Sequence, residues 1–373
     1  MIHSYRAEAV FDGERLIQGA AVNVAGGRIT SVGRPEGKVT ELGPGILAPG
    51  FLDLQVNGAG GVQVAGDTDV QALETVCATL TRLGATGCLP TLITDRPEAT
   101  EAVIHAGIAA ARARIPGFLG LHLEGPHLDP RRKGAHDAAL IRPMTDADLS
   151  LLLHAAQNLP ALMVTVAPES VTLDQIGTMA AAGIVVSLGH TDCTAEEAQA
   201  AMQAGARCAT HLFNAMSQLG NRAPGMVGAV LAGDGFTGLI ADGIHVAPTA
   251  LRVALAAKSD GVFLVSDCMA LAGTDLTEFH LGGRRILRAG GRLTLEDGTL
   301  AGADLTLPQA VGVLVDQAGI APERALAMAS RIPARVISRP DLGHLTPGTV
   351  ADMVHLGPDW SLSAVWQGGQ RRV

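Results

Sequence analysis

Leu119-Gly120-Leu121-His122-Leu123-Glu124 and Ile184-Val185-Val186-Ser187-Leu188-Gly189-His190 are short apolar runs that each finish on a side chain able to bind a metal. Four further runs end the same way. Phe51-Leu52-Asp53-Leu54 leads into Gln55 and Asn57, Cys208-Ala209-Thr210 reaches His211, Leu239-Ile240-Ala241-Asp242 precedes His245, and Val262-Phe263-Leu264-Val265 reaches Asp267. In a barrel of parallel strands the C-terminal strand ends converge on one mouth, which is where catalysis sits. Six such endings, far apart in the chain, can therefore share one metal centre. The pattern reads as a metal-dependent enzyme.

Helical patterns fill the gaps between these runs. Val70 to Leu83, Glu98 to Arg114, Asp146 to Asn158, Thr194 to Ala204 and Pro248 to Lys258 carry helical periodicity. Thr194 suits an N-cap, and Pro248 suits a first turn. With strands over Thr86-Gly87-Cys88-Leu89-Pro90-Thr91 and Ala161 to Val166, the alternation yields about eight strands and predicts a closed (β/α)8 barrel of the TIM type over residues 49–339. The two ends differ from this body. Ala21-Val22-Asn23-Val24, Gly26-Gly27 and Arg28 to Val32 form a hairpin pattern, and Ala351 to Leu356 reads as a strand after a Thr346-Pro347-Gly348-Thr349 turn. Neither end alone can bury a face, so residues 1–48 and 340–373 are expected to combine into one small β-sandwich. Gly-rich turns between 282 and 299 predict a β-hairpin inserted after the last barrel strand.

The chain has 373 residues, 47% of them apolar and only 3% aromatic, with 46 glycines, which suits an α/β core of Ala, Val, Leu and Ile. A formal charge of −9 excludes a general binder of nucleic acid or anionic membranes, although a local basic pocket for a small anion stays open. No secretory leader is visible at the start, and no apolar stretch approaches the ~18 residues of a membrane span. Five cysteines without a C-x-x-C pair are expected to be reduced and buried, in a cytoplasmic protein.

Individually, each strand-end residue has an ordinary reading as a buried, hydrogen-bonded structural group. Together they do not, because charged groups gathered in a barrel mouth are costly to bury without a partner. Glu124, His190 and His211 make a three-ligand set common for catalytic zinc, with open positions for water and substrate. One divalent metal is expected, Zn2+ first and Fe2+, Co2+ or Mn2+ as alternatives. A carboxylate at Asp267 is placed to take a proton from an attacking water and return it to a leaving group.

The chain resembles the N-acetylglucosamine-6-phosphate deacetylases of the amidohydrolase superfamily. The matching stretches are PGFLDLQVNGAGG from Pro49, HLEGPHLDPRRKGAH from His122, LGHT from Leu188, THLFNAM from Thr210, DGIHV from Asp242, SDCMALAG from Ser266 and PGTVADMV from Pro347. The resemblance implies a (β/α)8 barrel carrying a β-sandwich from both termini. It implies hydrolysis of the N-acetyl group of N-acetylglucosamine 6-phosphate to glucosamine 6-phosphate and acetate. It assigns Glu124, His190 and His211 to the metal, Asp267 to acid–base chemistry, and His136, Asn214, Ala215, Arg222 and His245 to substrate. Arg222 and His245 match phosphate-binding positions, and a homodimer that shares such residues across its interface is implied by the resemblance only.

Many amidohydrolases carry His-x-His on the first strand and bind two metals; here the residues are Gln55-Val56-Asn57. Neutral amides are poor transition-metal ligands. A single metal is therefore expected, with Gln55 and Asn57 hydrogen-bonding its water or its ligands. His127, where the family pattern has an aromatic residue, is expected to be a loop histidine near the mouth and not a further ligand, while Cys268 and Ala303 also depart from the pattern and bear on substrate fit and rate. Rival readings are an amidohydrolase for another N-acyl sugar or amide, a catalytically silent barrel subunit, and a phosphosugar isomerase.

Overall fold

A computed structural model describes residues 1–373. Its centre is an eight-stranded parallel barrel sheet: β1 (Phe51–Val56), β2 (Ala85–Ile93), β3 (Leu121–Glu124), β4 (Leu162–Val166), β5 (Val185–Leu188), β6 (Cys208–Ala209), β7 (Phe236–Leu239) and β8 (Val262–Leu264). Each strand pairs with its sequence neighbour. Strands covered on both faces read as continuous apolar runs, which is why the sequence shows runs and not alternation. The helices between strands begin on well-formed caps. Thr145 with Asp148, Thr172 with Gln175, and Thr194 with Glu197 each satisfy two orphan backbone donors reciprocally.

Hydrogen bonds between β1 and the segment after β8 close the ring. Asp267 N–H donates to the Gln55 carbonyl at 3.0 Å, and Asn57 N–H donates to the Cys268 carbonyl at 2.8 Å. The Asp53 carboxyl, 1% exposed, accepts from the Ser266 N–H at 3.1 Å. Burial pushes this carboxyl up to about 7 against the hydrogen bonds it accepts from Ser266 and Gln55. A raised native pKa means stability that is present at low pH and lost as pH climbs through that value. Wild type should therefore lose about 2 kcal/mol between pH 5 and pH 8 that Asp53→Asn retains. Denaturant titrations of both proteins at the two pH values test this, and parallel pH dependences would show Asp53 already ionised in the fold.

The sandwich draws on both ends of the chain. Strands Leu16–Gln18, Ala9–Phe11, Ile46–Pro49, Met353–Leu356, Leu362–Gln367 and Gln370–Arg371 make one sheet. A second sheet of four N-terminal strands packs over it around Val10, Val22, Ile29, Leu47, Met353 and Trp366. The insertion is wider than the expected hairpin over 282–299. It is a four-stranded antiparallel meander running from Glu278 to Ala303. Its apolar face (Leu281, Ile286, Leu293, Ala301) packs on Met269 and Leu271 beside Ile93 and Ala135, so it walls one side of the barrel mouth. No helix is long and apolar enough to cross a membrane.

Candidate active site

Glu124 ends β3, His190 follows β5 by two residues, and His211 follows β6 by two. The three side chains are buried, and Glu124 Oε1, His190 Nε2 and His211 Nε2 form a triangle with every edge 3.2 Å. His190 Nδ1 lies 2.8 Å from the Arg132 carbonyl, which only accepts, so Nδ1 carries a hydrogen and Nε2 is the ring atom left to face a cation. Burial alone would raise the Glu124 carboxyl, but hydrogen bonds with His190 and His211 hold it well below the usual range. Against its own burial, His211 is held above the ordinary imidazole value by that same carboxylate. The cluster thus needs a positive charge at its centre. A divalent cation fits, since metal–ligand distances of about 2.0–2.1 Å put tetrahedral ligands about 3.3 Å apart.

The backbone is bent to aim these groups. His190, His211 and Asp267 have φ of 47°, 28° and 50°, and Ala215 has 49°. For residues with a Cβ this left-handed region costs about 1–2 kcal/mol each, and such strain gathers at functional sites. Specific hydrogen bonds hold the bends: Asp129 N–H to the His190 carbonyl, Asn214 N–H to the His211 carbonyl, and Ala303 N–H to the Asp267 carbonyl. Beneath the triangle a buried chain of polar groups links four strands. His122 Nδ1 donates to the Leu54 carbonyl, so its Nε2 accepts from Thr165 at 2.7 Å. Thr165 and Ser187 in turn each bond Thr210 at 2.7 Å.

Asp267 is buried at the cavity floor and accepts from Asn57 Nδ2 at 2.7 Å through Oδ1. Burial, reinforced by the Glu124 charge, pushes its carboxyl up to about 6. Gln55 Nε2 donates to Glu124 Oε1 at 3.2 Å. Both first-strand amides therefore face carboxylates, and the Asn57 Oδ1 is left without a partner. His136 Nδ1 accepts from the Thr94 N–H and lies 2.7 Å from its hydroxyl, so Nε2 bears the hydrogen, 4.0 Å from Glu124 Oε2. Burial, with His190 alongside, holds this ring down to about 3, a neutral donor at neutral pH.

A cavity of about 250 Å³ opens over these groups, lined by Glu124, His136, His190, His211 and Asp267 together with Asn214, Ala215 and His245. His245 donates through Nδ1 to Asp242 Oδ2 at 2.6 Å, which leaves Nε2 for a ligand. Ten of the eleven singled-out residues are gathered at this mouth, Gln55 immediately beneath it. Arg222 is not: it is exposed on the loop before helix Gly225–Ala232 and does not line the cavity. His127, Cys268 and Ala303 are buried outside the lining, His127 donating to the Arg142 carbonyl and Cys268 to that of Gly58. Sequence reasoning missed Thr299, Leu300 and Gly302, which the meander brings to the rim. All five cysteines are free and buried.

A parallel barrel with a Glu-His-His triangle and a buried carboxylate at its C-terminal mouth defines a metallohydrolase-type enzyme. The chain belongs to the amidohydrolase family, whose model matches residues 46–371. It is 39% identical to the N-acetylgalactosamine-6-phosphate deacetylase of Shewanella sp. (strain ANA-3), over 87% of this chain and 83% of that one. It is 35% identical to the N-acetylglucosamine-6-phosphate deacetylase of Haemophilus influenzae, over 87% and 86%. A solved structure of a variant of the Mycobacterium smegmatis N-acetyl-D-glucosamine-6-phosphate deacetylase, in complex with N-acetyl-D-glucosamine-6-phosphate, superimposes with a TM-score of 0.92 at 30% identity, covering 100% of this chain and 99% of that one.

Proposed function

We propose that this chain hydrolyses the N-acetyl group of N-acetylglucosamine 6-phosphate, releasing acetate and glucosamine 6-phosphate in amino-sugar catabolism. The observation that carries the reading is the 3.2 Å triangle of Glu124, His190 and His211 set beside Asp267 and His136 on one cavity. Glu124, His190 and His211 would hold one divalent cation, Zn2+ by the ligand set. A cation held by these residues would supply polarisation of the acyl oxygen and acidification of a water.

The chain's own groups supply the rest. Asp267 takes a proton from water as the oxygen bonds to the acyl carbon. The Nε2–H of His136 donates to the acyl oxygen as charge gathers on it. The C–N bond then breaks while Asp267 passes its proton to the departing amine nitrogen. His245, its Nδ1–H held by Asp242, would bind the phosphate by donating through Nε2–H, and the bare Asn57 Oδ1 would accept from a bound donor.

A second reading, removal of acetyl from the C4 epimer N-acetylgalactosamine 6-phosphate, is favoured by the likeness to the Shewanella relative. Acetate release measured on both phosphorylated epimers and on free N-acetylglucosamine, with and without added Zn2+, tests both readings. No metal-dependent acetate from any of them overturns both.

Gln55 and Asn57 already donate to Glu124 and Asp267, so they leave no second ligand set. Elemental analysis of fully loaded protein should give one metal per chain, and two would contradict this assignment. Arg222, exposed near Leu219 (57% exposed), suits a residue that reaches a neighbouring copy's phosphate. In that arrangement the protein is a homodimer. Arg222→Ala should raise KM for the phosphorylated sugar at least ~10-fold by removing a charge-assisted contact, with KM for the free sugar unmoved. Equal effects on both sugars, or a monomeric mass by light scattering, would remove Arg222 from phosphate binding.

A further inference from the structure

The loop from Asp129 to His136 wraps the His190 ring. The Arg132 carbonyl accepts from His190 Nδ1–H at 2.8 Å, and Asp129 N–H donates to the His190 carbonyl at 2.9 Å. Gly134 (φ 54°) comes so close that a Cβ there would lie 3.2 Å from His190 Cε1. The His136 ring meets the His190 ring edge-on with centroids 4.3 Å apart. A loop in such contact fixes both the tautomer and the tilt of a metal-ligand imidazole.

The loop itself is tied down by charge. Arg132 Nε donates to Asp192 Oδ1 at 2.8 Å, and its Nη2 lies 2.6 Å from the same oxygen. Arg131 takes the other oxygen, with Nη1 3.3 Å from Oδ2. Arg131 also pairs with Asp129 and with Glu169, while Glu169 accepts from the Thr191 hydroxyl and the Asp192 N–H. Asp192 stands two residues after His190, so a short ring closes: imidazole to Arg132 carbonyl, Arg132 guanidinium to Asp192, and chain back to the imidazole. Both ends of the ion pair are partly solvated, at 37% and 30% exposure, so its direct worth to global stability is small.

We infer that the Arg132–Asp192 pair is a positioning element that sets the metal affinity of the site, by holding the Arg132 carbonyl against His190. The inference rests on Glu124, His190 and His211 being the metal ligands. Groups that orient a ligating histidine typically tune affinity 10- to 100-fold. Neither side chain touches the metal or the substrate, so both are positioning residues.

The test is a Zn2+ competition between metal-free protein and a chromophoric chelator. Asp192→Asn and Arg132→Met should each weaken Zn2+ binding about 10-fold. The double variant should be no weaker than either single one, because both break the same ring. Arg335→Met, which breaks an ion pair with Asp260 elsewhere, serves as the control and should bind like wild type. Affinities of the two single variants within twofold of wild type overturn the inference, as do losses that multiply in the double variant. Failure of the metal-site reading itself is distinguishable, because then Glu124→Gln would also leave Zn2+ affinity unchanged.

Discussion

Asp267→Asn should lower kcat for acetate release by about 10³-fold or more while leaving the metal in place; positioned acid–base groups contribute about 10²–10⁴. The substitution is nearly isosteric. The asparagine Oδ1 can still accept from Asn57 Nδ2, now at 2.7 Å from the aspartate, and the Ala303 N–H bond to the backbone carbonyl that holds the φ 50° bend is untouched. What it cannot do is take a proton from water or return one to the amine. Asp267 also lies outside the Glu124, His190 and His211 triangle, so metal content should match wild type. In wild type, kcat/KM should fall as pH drops below about 6, because burial and the Glu124 charge hold the Asp267 carboxyl near that value and only its ionised form is a base. A bound cation moves that limb lower, not higher. Steady-state kinetics, substrate calorimetry and metal analysis on the same preparation settle the matter. Near-normal kcat with intact metal content would transfer the acid–base role to another group.

The parts of this site that could be read from sequence are those fixed by the barrel itself. Once β3, β5, β6 and β8 are recognised, the direction of parallel strands sends Glu124, His190, His211 and Asp267 to one mouth whatever the loops do. The amide pair Gln55 and Asn57 was legible for the same reason, and its hydrogen bonds to Glu124 and Asp267 follow from the proximity of β1 to β3 and of β1 to the segment after β8. Thr299 and Leu300 were not legible, because their place at the rim depends on how an antiparallel meander folds back over Met269 and Leu271. Its outer strand, Glu278–Leu281, alternates polar and apolar residues over four positions only, too short a run to mark it. The loop clamp was invisible too: Arg131 and Arg132 look like a solvated basic pair until Asp129, Glu169 and Asp192 are brought beside them. Arg222 is a different case: its chemistry suits phosphate, but within one chain it is exposed and does not line the cavity, so its place depends on a neighbouring copy that one sequence does not describe.

Glu124→Gln separates the metal site from everything else the barrel does. Glutamine keeps the volume and one acceptor at the strand end but removes the only anionic member of the triangle, and amides are poor ligands for transition metals. Zn2+ affinity should fall at least 10²-fold and kcat/KM about 10³-fold or more, since the metal contributes several kcal/mol to charge stabilisation. Stability supplies an independent readout. A ligand that binds only the folded chain stabilises it by about 2.7 kcal/mol when present at 100 times its dissociation constant. Wild type should therefore gain several degrees in Tm on addition of Zn2+ and lose them to a chelator. Glu124→Gln should melt at one temperature under both conditions. Its metal-free form should also stay close to metal-free wild type, because the amide can donate to an imidazole Nε2 at the 3.2 Å contacts that Glu124 Oε1 now makes with His190 and His211. A variant that binds Zn2+ as tightly as wild type, or whose Tm still rises with Zn2+, would place the metal somewhere other than this triangle.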